Sequence, residues 1–118
     1  MYSTVFHKGK TVTIVDLSNK KTPQIIETLK EAEKKISTMP LKSARLLTDV
    51  TNVEVNMDVV KLVLQFAKNN TPFAKVSAAV GAEKLKSTIL TNISTNIGRE
   101  IKNFNSRPEA IEWLANQP

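Results

Sequence analysis

Asp16 and Ser18, and Asp49, Thr51 and Asn52, stand at the ends of two β-rich runs, and these residue types could do chemistry. Asp16 with Asp49 would be a carboxylate pair for acid–base work, and Thr51 would be a hydroxyl nucleophile beside it. Neither spacing is diagnostic, because strand-end Asp and Thr commonly close the following turn with their own backbone. A general base also needs a partner and a pocket. The chain has no Cys, its one His is His7 and its one Tyr is Tyr2, so neither carboxylate has a second catalytic group near it in the sequence. This composition argues against an enzyme.

A second chemistry-bearing stretch is KVSAAVGAEKLKSTILTN, residues 75–92, where an apolar run ends in Gly81 and a helical pattern follows at once. Free amides at 82–84, with Lys84 and Lys86 beside them, would suit an anion. The chain lacks both G-x-G-x-x-G and G-x-x-x-x-G-K-[ST], so the phosphate reading rests on one glycine. The simpler reading is that Gly81 permits a tight turn.

These residues need elements to carry them. The chain of 118 residues suits one domain, and 41% apolar residues are enough for a core. Seventeen Lys and Arg against eleven Asp and Glu give a net charge of +6. The basic residues are dispersed among acids, with Lys20-Lys21 and Lys34-Lys35 as the adjacent pairs, and aromatics are scarce at 5%. That pattern reads as solubility rather than nucleic-acid binding. The longest apolar-rich stretch, 59–67, is far short of a membrane span, and the N-terminus lacks the apolar segment of a signal peptide. The expectation is a cytoplasmic protein without a membrane span. No metal or cofactor is implied.

Residues 3–7 and 11–17 read as a hairpin turned at Gly9, with His7 a solvated residue beside the turn. Thr22 is the expected cap of a first helix, with Pro23 at its first position. Ile25, Leu29, Ala32 and Ile36 make its apolar stripe, and Glu31 and Lys35 an i,i+4 pair on the other side. A strand over 44–50 follows. Asn56 caps a second helix to about 69 that is apolar nearly all round, through Val59, Val60, Leu62, Val63, Leu64, Phe66 and Ala67. Such a helix either lies between two neighbours or forms a subunit interface. A strand over 73–80 leads to a third helix over 82–97, whose outer face carries uncharged Ser, Thr and Asn. A short strand over 101–105 precedes a last helix opened by the capping box Ser106-Arg107-Pro108-Glu109, with Trp113 directed to the core. The order ββαβαβαβα predicts an α/β domain with about five strands, a mixed but mostly parallel sheet and four helices. In such a sheet the carboxyl ends of the parallel strands share one edge, which would hold Asp16, Ser18, Asp49, Thr51, Asn52 and Gly81.

Four segments, RLLTDVTN (45–52), FAKNNTPFAKVSAAVG (66–81), LKSTILTNISTNIGR (85–99) and FNSRPEAIEWL (104–114), together resemble the small stand-alone STAS-like proteins of bacteria and archaea. Those are related in fold to SpoIIAA, the anti-sigma factor antagonist. The resemblance covers nearly the whole chain and implies a single STAS-like domain over 1–118 with a SpoIIAA-like β/α superhelix. Its strands step across the sheet in order, without a central switch-point crevice. Antagonists of that family carry a phosphorylatable Ser at the start of the second helix. Here Asp49-Val50-Thr51-Asn52 matches the strand-end segment, and the Ser position falls on or near Asp58, which has no hydroxyl. An acid in a first helical turn fits the helix dipole; mimicry of a phosphoserine charge is the functional alternative.

The reading that results is a non-enzymatic, self-associating interaction module. An anti-sigma-like protein partner follows by analogy alone. Its partner-facing or ligand-facing positions are Asp49, Thr51, Asn52, Asp58, Gly81 and Lys84, and its homodimer interface is Val59, Leu62, Val63 and Phe66. The alternative is a small-molecule or lipid carrier of the related CRAL-TRIO-like fold, which requires a closed apolar cavity beneath the second and third helices.

Overall fold

Lys8 and Gly9 both lie in the left-handed region (φ 52° and 77°), so the chain reverses in two residues. A turn of this kind matches the twist of a hairpin, and β1 (Tyr2–His7) pairs antiparallel with β2 (Lys10–Asp16). The computed structural model describes residues 2–54, 56–82, 98 and 101–118. After the hairpin come α1 (Thr22–Ile36), β3 (Ala44–Asp49), α2 (Met57–Asn70), β4 (Ala74–Val80), β5 (Lys102–Phe104) and α3 (Arg107–Asn116). The five strands lie in chain order, β1-β2-β3-β4-β5, and β2 to β5 are parallel. The expected mixed sheet is therefore present. The helix expected over 82–97, with Lys84, Lys86 and its polar outer face, lies outside the described residues.

Strand alternation divides the core in two. On one face Val15, Leu46 and Ala79 pack against Ile25, Leu29, Ala32 and Ile36 of α1 and Val59 and Phe66 of α2. On the other, Val12, Ile14, Leu47, Ala78 and Val80 pack against Ala110 and Leu114 of α3. Trp113 is half-buried on this second face and tilts against Phe104, ring centroids 5.5 Å apart. Ala44 pairs with Ala74 but Arg45 pairs with Val76, so β4 carries one extra residue. That irregularity inverts the alternation, placing Ala74 on the α1–α2 side and Val76 on the α3 side.

Three local expectations change. The cap of α1 is Lys21, with extended φ −98° and ψ 167°, and Thr22 is already helical. The Lys21 amide donates to Gln24 Oε1, and the Thr22 hydroxyl donates to Glu54 Oε1 at 3.0 Å. Glu31 and Lys35 turn to Tyr2 instead of forming an i,i+4 pair. Glu31 Oε1 accepts the Tyr2 amide, and the Lys35 ammonium lies 4.6 Å from the ring centroid. His7 is not a free hairpin residue. Its Nε2 lies 2.7 Å from Glu112 Oε2, and Lys8 Nζ reaches the other oxygen, so the hairpin tip is tied to α3. Hydrogen bonds from Lys8 and then His7 hold the Glu112 carboxyl down at about 2.

The far end of α3 is held by a buried arginine. Arg45 Nη1 donates to the carbonyls of Leu114 and Gln117, both at 2.9 Å, and so sets a positive charge at the negative end of the helix.

Thr13 lies on the α1–α2 side of β2, 1% exposed, and its hydroxyl has no hydrogen-bond partner. Thr13→Val keeps the shape and removes a desolvated polar group. It is expected to stabilise the fold by about 1 kcal/mol, read as a higher urea midpoint at unchanged slope. A loss of stability would mean that the hydroxyl is satisfied in solution.

Candidate functional site

The parallel register sets Asp16 directly beside Asp49, both on the α3 face at the strand ends. Each acid closes its own turn. Asp16 Oδ1 accepts the Ser18 amide (2.9 Å) and hydroxyl, and Asp49 Oδ1 accepts the Thr51 amide (3.0 Å) and hydroxyl (2.6 Å). Asn19 and Asn52 follow at φ 59° and 55°, a conformation that Asn tolerates better than most residues. Thus Asp16-Leu17-Ser18-Asn19 and Asp49-Val50-Thr51-Asn52 are the same turn built twice on neighbouring strands.

The two turns are zipped together. The Leu17 amide donates to the Asp49 carbonyl and the Asn19 amide to the Thr51 carbonyl, both at 2.9 Å. Asn52 Nδ2 reaches Asn19 Oδ1 at 3.3 Å, and the Glu54 amide reaches the Lys20 carbonyl at 3.3 Å. Asn56 caps α2 as expected, its Oδ1 accepting the Val59 amide at 2.9 Å.

The carboxylates do not point apart; both meet Arg107, the first residue of α3. Arg107 Nη2 lies 3.0 Å from Asp16 Oδ1, and Nε donates to Asp49 Oδ2 at 2.7 Å. Burial opposes ionisation of Asp16, but the Ser18 hydroxyl and amide and the Arg107 guanidinium outweigh it and lower its carboxyl from 3.8 to about 2. A carboxyl so acidic is a poor proton carrier near neutral pH. Asp49 already accepts from the Thr51 amide, the Thr51 hydroxyl and Arg107. Chemically the trio is a clamp that pins α3 to two strand ends.

Gly81 (φ 82°) completes this edge. A Cβ there would lie 2.3 Å from Thr51 Oγ1, 2.7 Å from its Cα and 2.8 Å from its amide nitrogen. The glycine is needed because the β4 end passes against the β3 turn. The anion reading loses one of its three amides, since the Ala82 amide donates to Asn103 Oδ1 at 3.0 Å; the neighbouring Gly81 amide donates to the Phe104 carbonyl at 3.4 Å. Lys84 and the amides at 83 and 84 lie outside the described residues.

Asp49, Thr51, Asn52 and Gly81 are thus brought together at one edge. Asp58 stands apart, exposed in the first turn of α2. It lines an open groove of about 480 Å³ between α1 and α2, with Thr22, Ile26, Lys61, Leu62 and Gln65. Of the four positions expected at a subunit interface, Val59 and Phe66 are each 4% exposed and belong to the monomer's own core. Leu62 and Val63 are half-buried at its margin. Arg107 and Arg45 are absent from the sequence-based site. Arg107 left a signal, since it opens a helix at the edge where the two acids end.

Among the described residues no three His, Asp or Glu side chains gather as metal ligands, and no helix is long and apolar enough to cross a membrane. No protein-family model and no curated protein matches the chain. Among solved structures, the chain is similar to an uncharacterised protein of the DUF3478 family from Shewanella loihica PV-4, described as having a SpoIIAA-like fold. The TM-score is 0.71 at 14% identity, over 97% of this chain and 92% of that one. The fold of this protein is therefore SpoIIAA-like.

Proposed function

We propose that the protein is a non-enzymatic interaction module that docks a protein partner through the loop over 51–58 and the outward side of α2. The carrying observation is the division of labour at the strand-end edge. Asp16, Asp49, Ser18 and Thr51 are engaged with Arg107 and with their own turns. Beside them Asn52 and Glu54, which bond to Asn19 and Thr22, and Met57 and Asp58 are exposed, Met57 to 69%. A large exposed apolar side chain, rimmed by amides and acids on a loop zipped to its neighbour, suits recognition better than turnover. The carrier alternative has less support among the described residues, where the hollows along α1 and α2 open to solvent and are lined by Lys, Glu, Asn and Gln as well as apolar groups.

A native mass spectrum of the protein purified from cells tests this first. A different polypeptide bound at fixed stoichiometry is the expected result, and a discrete small mass on every chain would favour the carrier. Met57→Lys should then abolish the complex without moving the melting temperature. Leu62→Asp should abolish it while costing the fold about 1–2 kcal/mol, because that side chain is half-buried. A complex that survives both variants places the contact elsewhere.

A further inference from the structure

β1 is an edge strand, and its backbone is half used. The two-residue turn makes His7 and Lys10 the first hydrogen-bonded pair, so Val5 with Val12 and Ser3 with Ile14 are the next. The amides and carbonyls of Tyr2, Thr4 and Phe6 therefore point away from the sheet. The Tyr2 amide confirms the direction, since it is met from outside by Glu31 Oε1 at 3.3 Å. Sheet edges are commonly protected by Lys, Pro or a bulge. Residues 2–6 (YSTVF) contain none of these, and Phe6 is 77% exposed.

We propose that a second copy of this chain pairs with β1 through its own β1, antiparallel about a two-fold axis at Thr4, joining the two five-stranded sheets into one. Three observations select a second copy over another occupant. The outward-pointing backbone groups belong to the even-numbered residues, and the register that pairs them is its own mirror. Thr4 faces Thr4, and Tyr2 faces Phe6 of the other copy. That register also covers the exposed Phe6 with an aromatic side chain on the same face, since Tyr2 and Phe6 both project to the α1 side. Finally, residues 2–6 carry no charge, so a chain of net charge +6 meets itself here without opposing like charges across the strands. The Glu31 side chain must swing off the Tyr2 amide to admit the partner carbonyl.

Strand addition along five residues buries less than the roughly 1,200 Å² of stable complexes, so the dimer forms and dissociates with concentration in the micromolar range or above. It does not involve the α2 face and stands or falls separately from the docking surface assigned there.

The test is sedimentation equilibrium of the full chain over a micromolar to millimolar series, with amide hydrogen exchange at both ends of the series. The expected result is a monomer–dimer equilibrium in which the amides of Thr4 and Phe6 become protected as concentration rises, while that of Val5, already paired, does not change. Phe6→Lys is expected to weaken the dimer about tenfold or more with unchanged circular dichroism. Thr4→Pro, which removes an outward amide, should weaken it as well, and Leu62→Asp should leave it intact. A wild-type chain that stays monomeric throughout, or a dimer that Phe6→Lys does not weaken, overturns the proposal.

Discussion

Arg107→Ala is expected to destabilise the protein by roughly 2–4 kcal/mol. The guanidinium stands between two carboxylates on adjacent parallel strands, in direct register. Removing it leaves like charges side by side, with the Asp49 side chain only 8% exposed. Loss of one partner from a fully buried pair typically costs more. Here the Asp16 and Arg107 side chains are 29% and 36% exposed, so water screens part of the effect. The pH dependence separates this from lost packing. In the native chain the Asp16 carboxyl is lowered from 3.8 to about 2, so its contribution is full above the unfolded value and is lost as pH falls through the folded one. In Arg107→Ala the same carboxylates repel, protonation relieves them, and the deficit against wild type should shrink between about pH 7 and about pH 4. Adding Asp49→Asn should recover part of the loss at neutral pH, because it removes the repulsion while keeping an acceptor for the Thr51 amide. Urea denaturation of the four proteins in this cycle measures the coupling directly. A deficit under about 1 kcal/mol that does not change with pH would reduce the clamp to an ordinary surface contact.

The same trio shows what local sequence can and cannot carry. Every described element was legible, because each rests on neighbours in the chain. Gly9 turns the hairpin, Ile25, Leu29, Ala32 and Ile36 repeat at helical spacing, and Asn56 and Ser106 cap the helices that follow them. Errors at this level were one residue wide, as at Lys21, which takes the cap position of α1 expected at Thr22, its own amide donating to Gln24 three residues on. The shared edge of Asp16, Asp49 and Gly81 also followed from pattern, since parallel strands must present their ends together. The partners of those residues did not follow. Arg107 is 58 positions from Asp49, and Arg45 is 69 from the Leu114 carbonyl that it binds. No spacing rule connects such pairs, which meet only after α3 has folded back across the sheet. The degree of burial along α2 was not legible either. Val59, Leu62, Val63 and Phe66 look equivalent along α2, yet Val59 and Phe66 are buried in the core while the other two lie at its margin. An acid at a strand end therefore reads the same in sequence whether it faces a substrate or an arginine from the last helix.

Gly81→Ala is expected to cost roughly 2–4 kcal/mol, from two sources that add. The residue lies at φ 82°, where a side chain is strained wherever it stands. The added Cβ would also meet Thr51 Oγ1 at 2.3 Å and, with less room to yield, the Thr51 Cα and amide nitrogen at 2.7 and 2.8 Å. Thr51 cannot retreat easily, because its amide and hydroxyl are held by Asp49 and its carbonyl accepts from Asn19. The strain should therefore pass along the zipped turns to the clamp and α3. Two comparisons distinguish this steric account from an anion site. Thr51→Ala in the Gly81→Ala background should restore little, since the contacts with Cα and nitrogen remain, whereas a clash with the hydroxyl alone would be relieved. Inorganic phosphate should leave the melting temperatures of wild type and variant equally unmoved if the Gly81 and Ala82 amides stay with Phe104 and Asn103. Phosphate that raises the wild-type melting temperature but not that of the variant would show an anion held at this turn. The glycine would then serve the ligand as well as the close approach of the β4 end to the β3 turn.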